Sequence, residues 1–193
     1  KAAKCGSCSA EINGIPRLMC KTRVEDVYDA AGVVHVHPVK TFPLIRDLVT
    51  DVSWNYRMAA TILPLQLKEH GAEPLKMAQA DVARAQEFRK CIECFLCQTV
   101  CHVLREHDRK DAYYGPRFMV KLAALDMHPL DTSPRRAFLH TKAGIGYCNI
   151  THCCQDVCPE EIHITDNAII PLKERVADEY YDPLKMLWRK IRR

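Results

Sequence analysis

The pattern of apolar and polar positions changes character near residue 75. Before that point, "VVHVHP" (33–38) is a β-branched run alternating with histidine, which predicts a strand ended by Pro38. "FPLIRDLVTD" (42–51) predicts a short helix or a connector. Residues 54–74, with Pro64, Gly71 and Pro74, predict a helix running into a linker. From Leu75 the period becomes helical: "LKMAQADVARAQEFRK" brings Leu75, Ala78, Val82 and Ala85 to one side. "GPRFMVKLAALDMH" predicts a helix with Pro116 at its first position, 131–136 predicts a loop, and "DNAIIPLKERVADEYY" predicts a final helix capped by Asp166. The chain therefore divides into an N-terminal unit over 1–53, a connecting segment over 54–74 and a helical unit over 75–193.

Composition changes this picture little. Of 193 residues, 48% are hydrophobic and 27% charged, which suits a packed core under a solvated surface. The longest apolar runs, "MAATILPLQL" and "AIIPL", fall short of the ~18–20 residues a membrane span needs and are broken by proline. No signal peptide is visible. A net charge of +4 gives no reason to expect a nucleic-acid partner. His35 and His37 alternate on one strand face, but two histidines with no third ligand nearby read as a solvated face. Trp54 and Tyr56 are expected to pack at the junction of the two units. The tail over 185–193 has five positive charges and no negative ones, interleaved with Met186, Leu187, Trp188 and Ile191. It is either a solvated helix end or a contact for anionic lipid or an anchoring partner.

Cysteine is the outlying residue: eleven, an odd number, clustered at CxxC spacing. Sulfurs this close in sequence suit convergence on a metal better than a disulfide framework, and a reducing compartment. Cys91, Cys94, Cys97 and Cys101 follow the bacterial-ferredoxin spacing, in which three thiolates wrap one cluster and the fourth reaches a second. Taken alone, this run also leaves a structural zinc site open. The second cluster, "CNITHCCQDVCP", repeats the spacing with Cys148, Cys154 and Cys158, and has Thr151 where the second cysteine should be. Two interleaved runs predict Cys91, Cys94, Cys97 and Cys158 around a [4Fe–4S] cluster. Cys101, Cys148 and Cys154 supply three thiolates, which suits a [3Fe–4S] cluster lacking iron at the Thr151 corner. Cys153 is one residue out of register and reads as a small buried side chain, although as a spare ligand it would make the second centre [4Fe–4S]. At the N-terminus, Cys5, Cys8 and Cys20 match a plant-type [2Fe–2S] loop, C-x4-C-x2-C…C, whose first ligand would precede Lys1. Gly6 and Ser7 suit a tight loop with amides facing sulfur. The chain is thus expected to be N-terminally truncated just after that ligand.

The order "CGSC…LMC", "FPLIRDLVTD", "CIECFLCQTVC", "YYGPRF" and "CNITHCCQDVCP" resembles the iron–sulfur subunit of succinate dehydrogenase and fumarate reductase over nearly the whole chain. The wording of "KAAKCGSCSAEINGIPRLMC" is most similar to mycobacterial members. The resemblance implies an α+β fold: a partial plant-type ferredoxin (β-grasp) N-terminal domain, then an all-α bacterial-ferredoxin-like (alpha-helical ferredoxin) domain. It implies an FAD flavoprotein partner and a membrane anchor that binds quinone. The subunit would be peripheral, on the cytoplasmic face of the bacterial plasma membrane. Electrons would pass from FAD through [2Fe–2S], [4Fe–4S] and [3Fe–4S] to quinone, with no succinate oxidation by this chain alone. His102 follows Cys101 where many members have proline, the tryptophan expected a few residues later is missing, and Asn149 replaces an often-seen histidine. These departures at the quinone-proximal positions His102 and Asn149 favour menaquinone. The rival classes are an iron–sulfur subunit of another oxidoreductase, such as a heterodisulfide-reductase-like complex, or a soluble dicluster carrier. The plant-type loop argues against the simple dicluster carrier.

Overall fold

The computed structural model describes residues 2–67 and 75–191, with side chains as far as 187. The N-terminal part is a small antiparallel sheet in the order β2–β1–β3, made of β1 (Ser9–Ile12), β2 (Ile15–Leu18) and β3 (Val36–His37). Asn13 and Gly14 join β1 to β2 with φ of 49° and 81°, the two-residue turn that Asn-Gly favours because it matches strand twist. The predicted strand over 33–38 is shortened to Val36–His37. Residues 33 and 35 spend their N–H groups on the Asp29 and Asn13 side chains instead (both 2.9 Å or less). Histidines 35 and 37 are exposed, His35 beside Asp29 at 3.8 Å.

The segment over 42–51 is a second hairpin rather than a helix: β4 (Leu44–Arg46) pairs with β5 (Val49–Thr50) around Asp47, at φ 50°. Its β-branched Ile45, Val49 and Thr50 favour extended backbone, and Asp tolerates the left-handed turn position.

The remainder is helical: α1 (Ser53–Thr61), α2 (Gln79–Gln86), α3 (Leu96–Thr99), α4 (His102–Arg105), α5 (Pro116–Asp126), α6 (Arg135–Thr141), α7 (Cys153–Asp156), α8 (Ile170–Tyr180) and α9 (Pro183–Ile191). α5 is the central element. Pro116 occupies its first turn as expected, and Phe118, Met119, Val120, Leu122 and Ala123 are buried against α2, α6 and a π-helical stretch, Ile164–Ile169. Trp54 on α1 meets Phe118 edge-on at 6.1 Å, so the predicted connecting helix is packed onto the helical core. Tyr56 is exposed, with one edge against Phe95. The other part of the predicted linker, 68–74 with Gly71 and Pro74, lies outside the described residues.

Three helix boundaries differ from the sequence reading. The helix expected from Leu75 begins at Gln79, because Ala78 is extended (ψ 143°). Within 131–136, predicted as a loop, α6 already starts at Arg135. Asp166 lies inside the π-helical stretch and receives Gln155 Nε2 at 2.9 Å instead of capping the helix. Pro171 accounts for that shift. It has no N–H to give, and the backbone before it widens into a π turn.

Two sets of polar contacts hold the layers together. Arg135 donates to Leu63 O (2.5 Å), Pro64 O (2.8 Å) and Asp131 Oδ2 (2.7 Å), and Gln66 N donates to Asp131 Oδ1 (3.0 Å). This pins the chain leaving α1 to the start of α6. Between sheet and helices, the fully buried Glu11 faces Arg105 Nη2 at 3.3 Å and Lys40 Nζ at 3.6 Å. Thr41 Oγ1 donates to Thr99 O (3.0 Å), and Lys21 Nζ donates to Pro159 O (2.7 Å). Among the described residues no helix is long and apolar enough to cross a membrane.

The Asp131–Arg135 pair is almost wholly buried, so removing one partner strands the other charge. Arg135→Ala should lower the stability of the fold by about 3–5 kcal/mol in urea unfolding. Burial pushes the Asp131 carboxyl up, but Arg135 and the Gln66 and Ser133 N–H groups outweigh it and hold its pKa below the usual carboxylate value. The stabilisation is therefore present above the unfolded carboxylate range and lost only as pH falls through the lowered folded value. In Arg135→Ala, the fall of stability below pH 4 should be shallower than in the parent.

Candidate metal centres

The two cysteine-rich loops are backbone repeats of one another. In the first, Cys91 ends a 3₁₀ turn, Glu93 and Phe95 are left-handed (φ 56° and 61°), and α3 starts at Leu96. In the second, Cys148 ends a 3₁₀ turn, Ile150 and His152 are left-handed (both φ 60°), and α7 starts at Cys153. In this register Thr151 occupies the place of Cys94, Cys153 that of Leu96, Cys154 that of Cys97, and Cys158 that of Cys101. Left-handed residues without glycine cost about 1–3 kcal/mol each and persist where something holds them, commonly at functional sites. Alternating left-handed residues turn successive side chains and N–H groups toward a common centre.

The repeat extends to a pair of glutamines that sequence reading missed. Gln98, fully buried, accepts from Arg117 N (3.3 Å) and donates to Tyr114 O (2.9 Å) and Asn55 Oδ1 (3.2 Å). Gln155, at the same register, accepts from Thr165 N (3.1 Å). Each glutamine ties its cysteine turn to the next long helix. Their position immediately after Cys97 and Cys154 was the available signal.

Side chains bring the sulfurs into groups. Cys91, Cys94, Cys97 and Cys158 border one cavity, walled by Phe95, Val120, Ile162 and Ile164. Burial pushes Cys94 up to about 11 and Cys97 well above the usual thiol value, with neighbouring thiols of this set adding to the rise. Burial also raises Cys101 to about 11 and Cys154 to about 12, and here the neighbouring sulfurs are Cys148 and Cys153. Cys154 Sγ lies 3.6 Å from Thr165 Oγ1. Cys153 Sγ lies 3.2 Å from Thr151 Oγ1 and 3.5 Å from Val100 O, so it stands beside the second group. His102 and Asn149, the quinone-proximal expectations, are both exposed and adjoin Cys101 and Cys148 in sequence.

The N-terminal thiols form a third, more open group. Ser7 bonds to Cys5 and lowers its pKa; Ala3 N reaches Cys20 Sγ (3.2 Å) and lowers that pKa; Cys20 N reaches Cys8 Sγ (3.4 Å). This loop rests on the first cysteine turn. Gly6 has φ 68°, and a Cβ there would lie 2.6 Å from Cys94 Cα, so only glycine permits the approach. Ser9 Oγ fastens the contact by donating to Cys94 O at 2.7 Å.

Two observations bear on what these groups hold. First, four sulfurs, those of Cys91, Cys94, Cys97 and Cys158, border a single cavity instead of converging on one point. The sulfurs surround a volume, which suits a multi-iron cluster. Secondly, among the described residues four buried polar atoms lack a hydrogen-bond partner: Tyr113 Oη, Arg117 Nε, Arg117 Nη1 and Ser133 Oγ. Arg117 lines the Cys91–Cys94–Cys97–Cys158 cavity, and Tyr113 is packed in the core with Cys101 and Cys154. Buried donors without acceptors are rare and destabilising. A sulfide-rich, anionic cluster supplies acceptors to Arg117 and Tyr113, so the residues present fit iron–sulfur clusters.

Comparison with known proteins agrees. Residues 1–57 match the 2Fe-2S iron-sulfur cluster binding domain, and 87–162 match the 4Fe-4S dicluster domain. A chain of the Mycobacterium smegmatis Sdh1 complex in the apo form superposes with a TM-score of 0.90 at 58% identity, covering 95% of this chain and 77% of that one. The fumarate reductase iron-sulfur subunit of Haemophilus influenzae is 28% identical, over 84% of this chain and 67% of that protein. A fumarate reductase (CoM/CoB) chain of Methanothermobacter marburgensis is 33% identical over 100% of this chain. The chain spans only about a third of the length of the archaeal relatives it matches, 37% in that case and 33% for an uncharacterized iron-sulfur protein of Methanocaldococcus jannaschii. Small N-terminal sheet, helical dicluster unit and cysteine order together lead to one family: this chain belongs to the iron–sulfur subunits of succinate dehydrogenases and fumarate reductases.

Proposed function

We propose that this chain is the electron-relay subunit of a succinate:quinone oxidoreductase, standing between an FAD flavoprotein and a quinone-binding membrane anchor on the cytoplasmic face of the membrane. The observation that carries this reading is the repeated cysteine turn with a third cysteine loop resting on it. In finer terms the fold is a β-grasp ferredoxin remnant over 1–53, a connecting segment over 54–74 and an alpha-helical ferredoxin unit over 75–193. Cys5, Cys8 and Cys20 would hold [2Fe–2S], Cys91, Cys94, Cys97 and Cys158 [4Fe–4S], and Cys101, Cys148 and Cys154 [3Fe–4S].

When bound, such clusters each take up and release one electron at a time, which lets the pair of electrons leaving a flavin reach quinone singly. The chain's own residues give this chemistry its setting. The thiols that burial drives toward neutrality are the ones that iron ligation holds as thiolates. Phe95, Ile162 and Ile164 exclude water from the first group. Gly6 lets the N-terminal loop touch Cys94 backbone to backbone, and Glu11 with Arg105 keeps the two units in register. His102 and Asn149, exposed beside the second group, would face the anchor and a menaquinone-type acceptor.

A second reading, an iron–sulfur subunit of a heterodisulfide-reductase-like complex, draws support from the 33% identity to the fumarate reductase (CoM/CoB) chain. Identification of proteins copurifying from native membrane separates the two: a flavoprotein with a membrane-embedded anchor supports the first.

The ligand assignment makes a spectroscopic prediction. Thr151 stands where the first loop has Cys94, and a neutral hydroxyl is a poor iron ligand. Thr151→Cys should convert an oxidised [3Fe–4S] EPR signal into a reduced [4Fe–4S] one. Cys154→Ser should abolish the second centre, and Cys153→Ser should leave it nearly untouched. Two [4Fe–4S] signals in the parent, one becoming [3Fe–4S] in Cys153→Ser, would instead make Cys153 a ligand.

The C-terminal helix makes another. On α9, Leu184, Met186 and Leu187 are exposed, and Lys185 begins the basic run of the tail. Deleting 185–193 should weaken retention on anionic membranes in a salt-sensitive way, since each basic residue near the surface contributes about 1 kcal/mol. Cluster spectra should be unchanged. Equal retention at low and high salt would assign the tail to solvent.

A further inference from the structure

The two cysteine turns are alike in backbone but differ in the donor that faces each. At the first, the residue whose N–H bonds the turn's glutamine is Arg117, and at the second it is Thr165. Arg117 is almost wholly buried, an unusual place for a guanidinium. Its Nη2 pairs with Glu93, inside the first cysteine turn, and its plane sits over the Phe118 ring at 4.7 Å. Nε and Nη1 have no partner. The polar groups lining that cavity are Arg117 itself, the four cysteines and Glu160. At the second group the buried donor is the neutral hydroxyl of Tyr113, packed in the core with Cys101 and Cys154 and set toward Cys148, while the cation on that side, Lys173, spends its Nζ on the Cys148 carbonyl oxygen.

We propose that Arg117 donates to the sulfur atoms of the first centre and raises its reduction potential, while the buried donor at the second centre, Tyr113, is neutral. The inference rests on the ligand sets proposed above. Reduction adds one negative charge to a cluster, and a buried cation with two free N–H groups favours the more negative state. Hydrogen bonds to cluster sulfur act in the same direction. The neutral phenol supplies the second effect without the first. Arg117 is thus a tuning residue that sets the gap between two centres of nearly equal backbone geometry. The carboxylate of Glu93 limits its effect by sharing the guanidinium.

EPR-monitored redox titration of the assembled complex tests this. Arg117→Gln should make reduction of the first centre at least tenfold less favourable, a fall of 59 mV or more for a one-electron couple, with the second centre unmoved. Arg117→Lys should fall less, because charge is kept and the two-pronged donor lost. Tyr113→Phe should lower the second centre alone. With ¹⁵N-arginine labelling, pulsed EPR of the reduced first centre should show a nitrogen coupling that Arg117→Lys removes, which a purely structural role does not predict. An unchanged first potential in Arg117→Gln, with its signal intact, overturns the proposal. If Arg117→Gln does not assemble that centre, Glu93→Gln decides: its potential should rise, and no rise overturns the proposal. Failure of the underlying ligand sets reads differently: the reduced [4Fe–4S] signal would then survive Cys97→Ser.

Discussion

Everything else in this fold answers to one constraint, the cost of placing a set of sulfurs inside an apolar core. Thiols in that setting resist ionisation, and Cys94, Cys97, Cys101 and Cys154 are all driven upward by burial. Left to themselves they would be small hydrophobic side chains, and the left-handed residues at 93, 95, 150 and 152 would be strain without return. A cluster that binds thiolates and accepts hydrogen bonds reconciles these features. The long helix α5 and the π-helical stretch then act as walls, and each is tied to a cysteine turn through one glutamine, Gln98 or Gln155.

Much of this was legible in the chain. Cysteine spacing carried the pairing of the two runs, including the register that puts Thr151 opposite Cys94, and the same offset recurs in the backbone angles. The Asn13 and Gly14 turn and the Pro116 start of α5 follow from local chemistry that acts over a few residues. What was not legible depends on partners distant in sequence. Asp131 looked like a loop residue because its charge is satisfied by Arg135 and by chain from the far side of α1. The hairpin over 42–51 was obscured because Leu44, Ile45, Leu48 and Val49 also fit a helical period. Arg117 gave little sign of itself: a charged residue at the start of an apolar helix is ordinarily solvated, and only burial against the first cavity shows otherwise.

The same separation of near and far explains why the N-terminal unit is built as it is. Its two small sheets bury Ala10, Ile12, Leu18 and Phe42 but leave Ile15, Val36, Leu44 and Ile45 exposed. Polar anchors into the helical unit add direction to that burial. Glu11 on Arg105 and Thr41 on Thr99 fix orientation, where an apolar face alone would permit sliding.

The Gly6 contact has a kinetic meaning. Two backbones that meet at van der Waals distance, with a serine hydrogen bond across the seam, leave no lid, hinge or side chain to move before an electron crosses. On the proposed ligand sets, passage from the N-terminal thiols to the first buried group is an ungated step, indifferent to solvent viscosity.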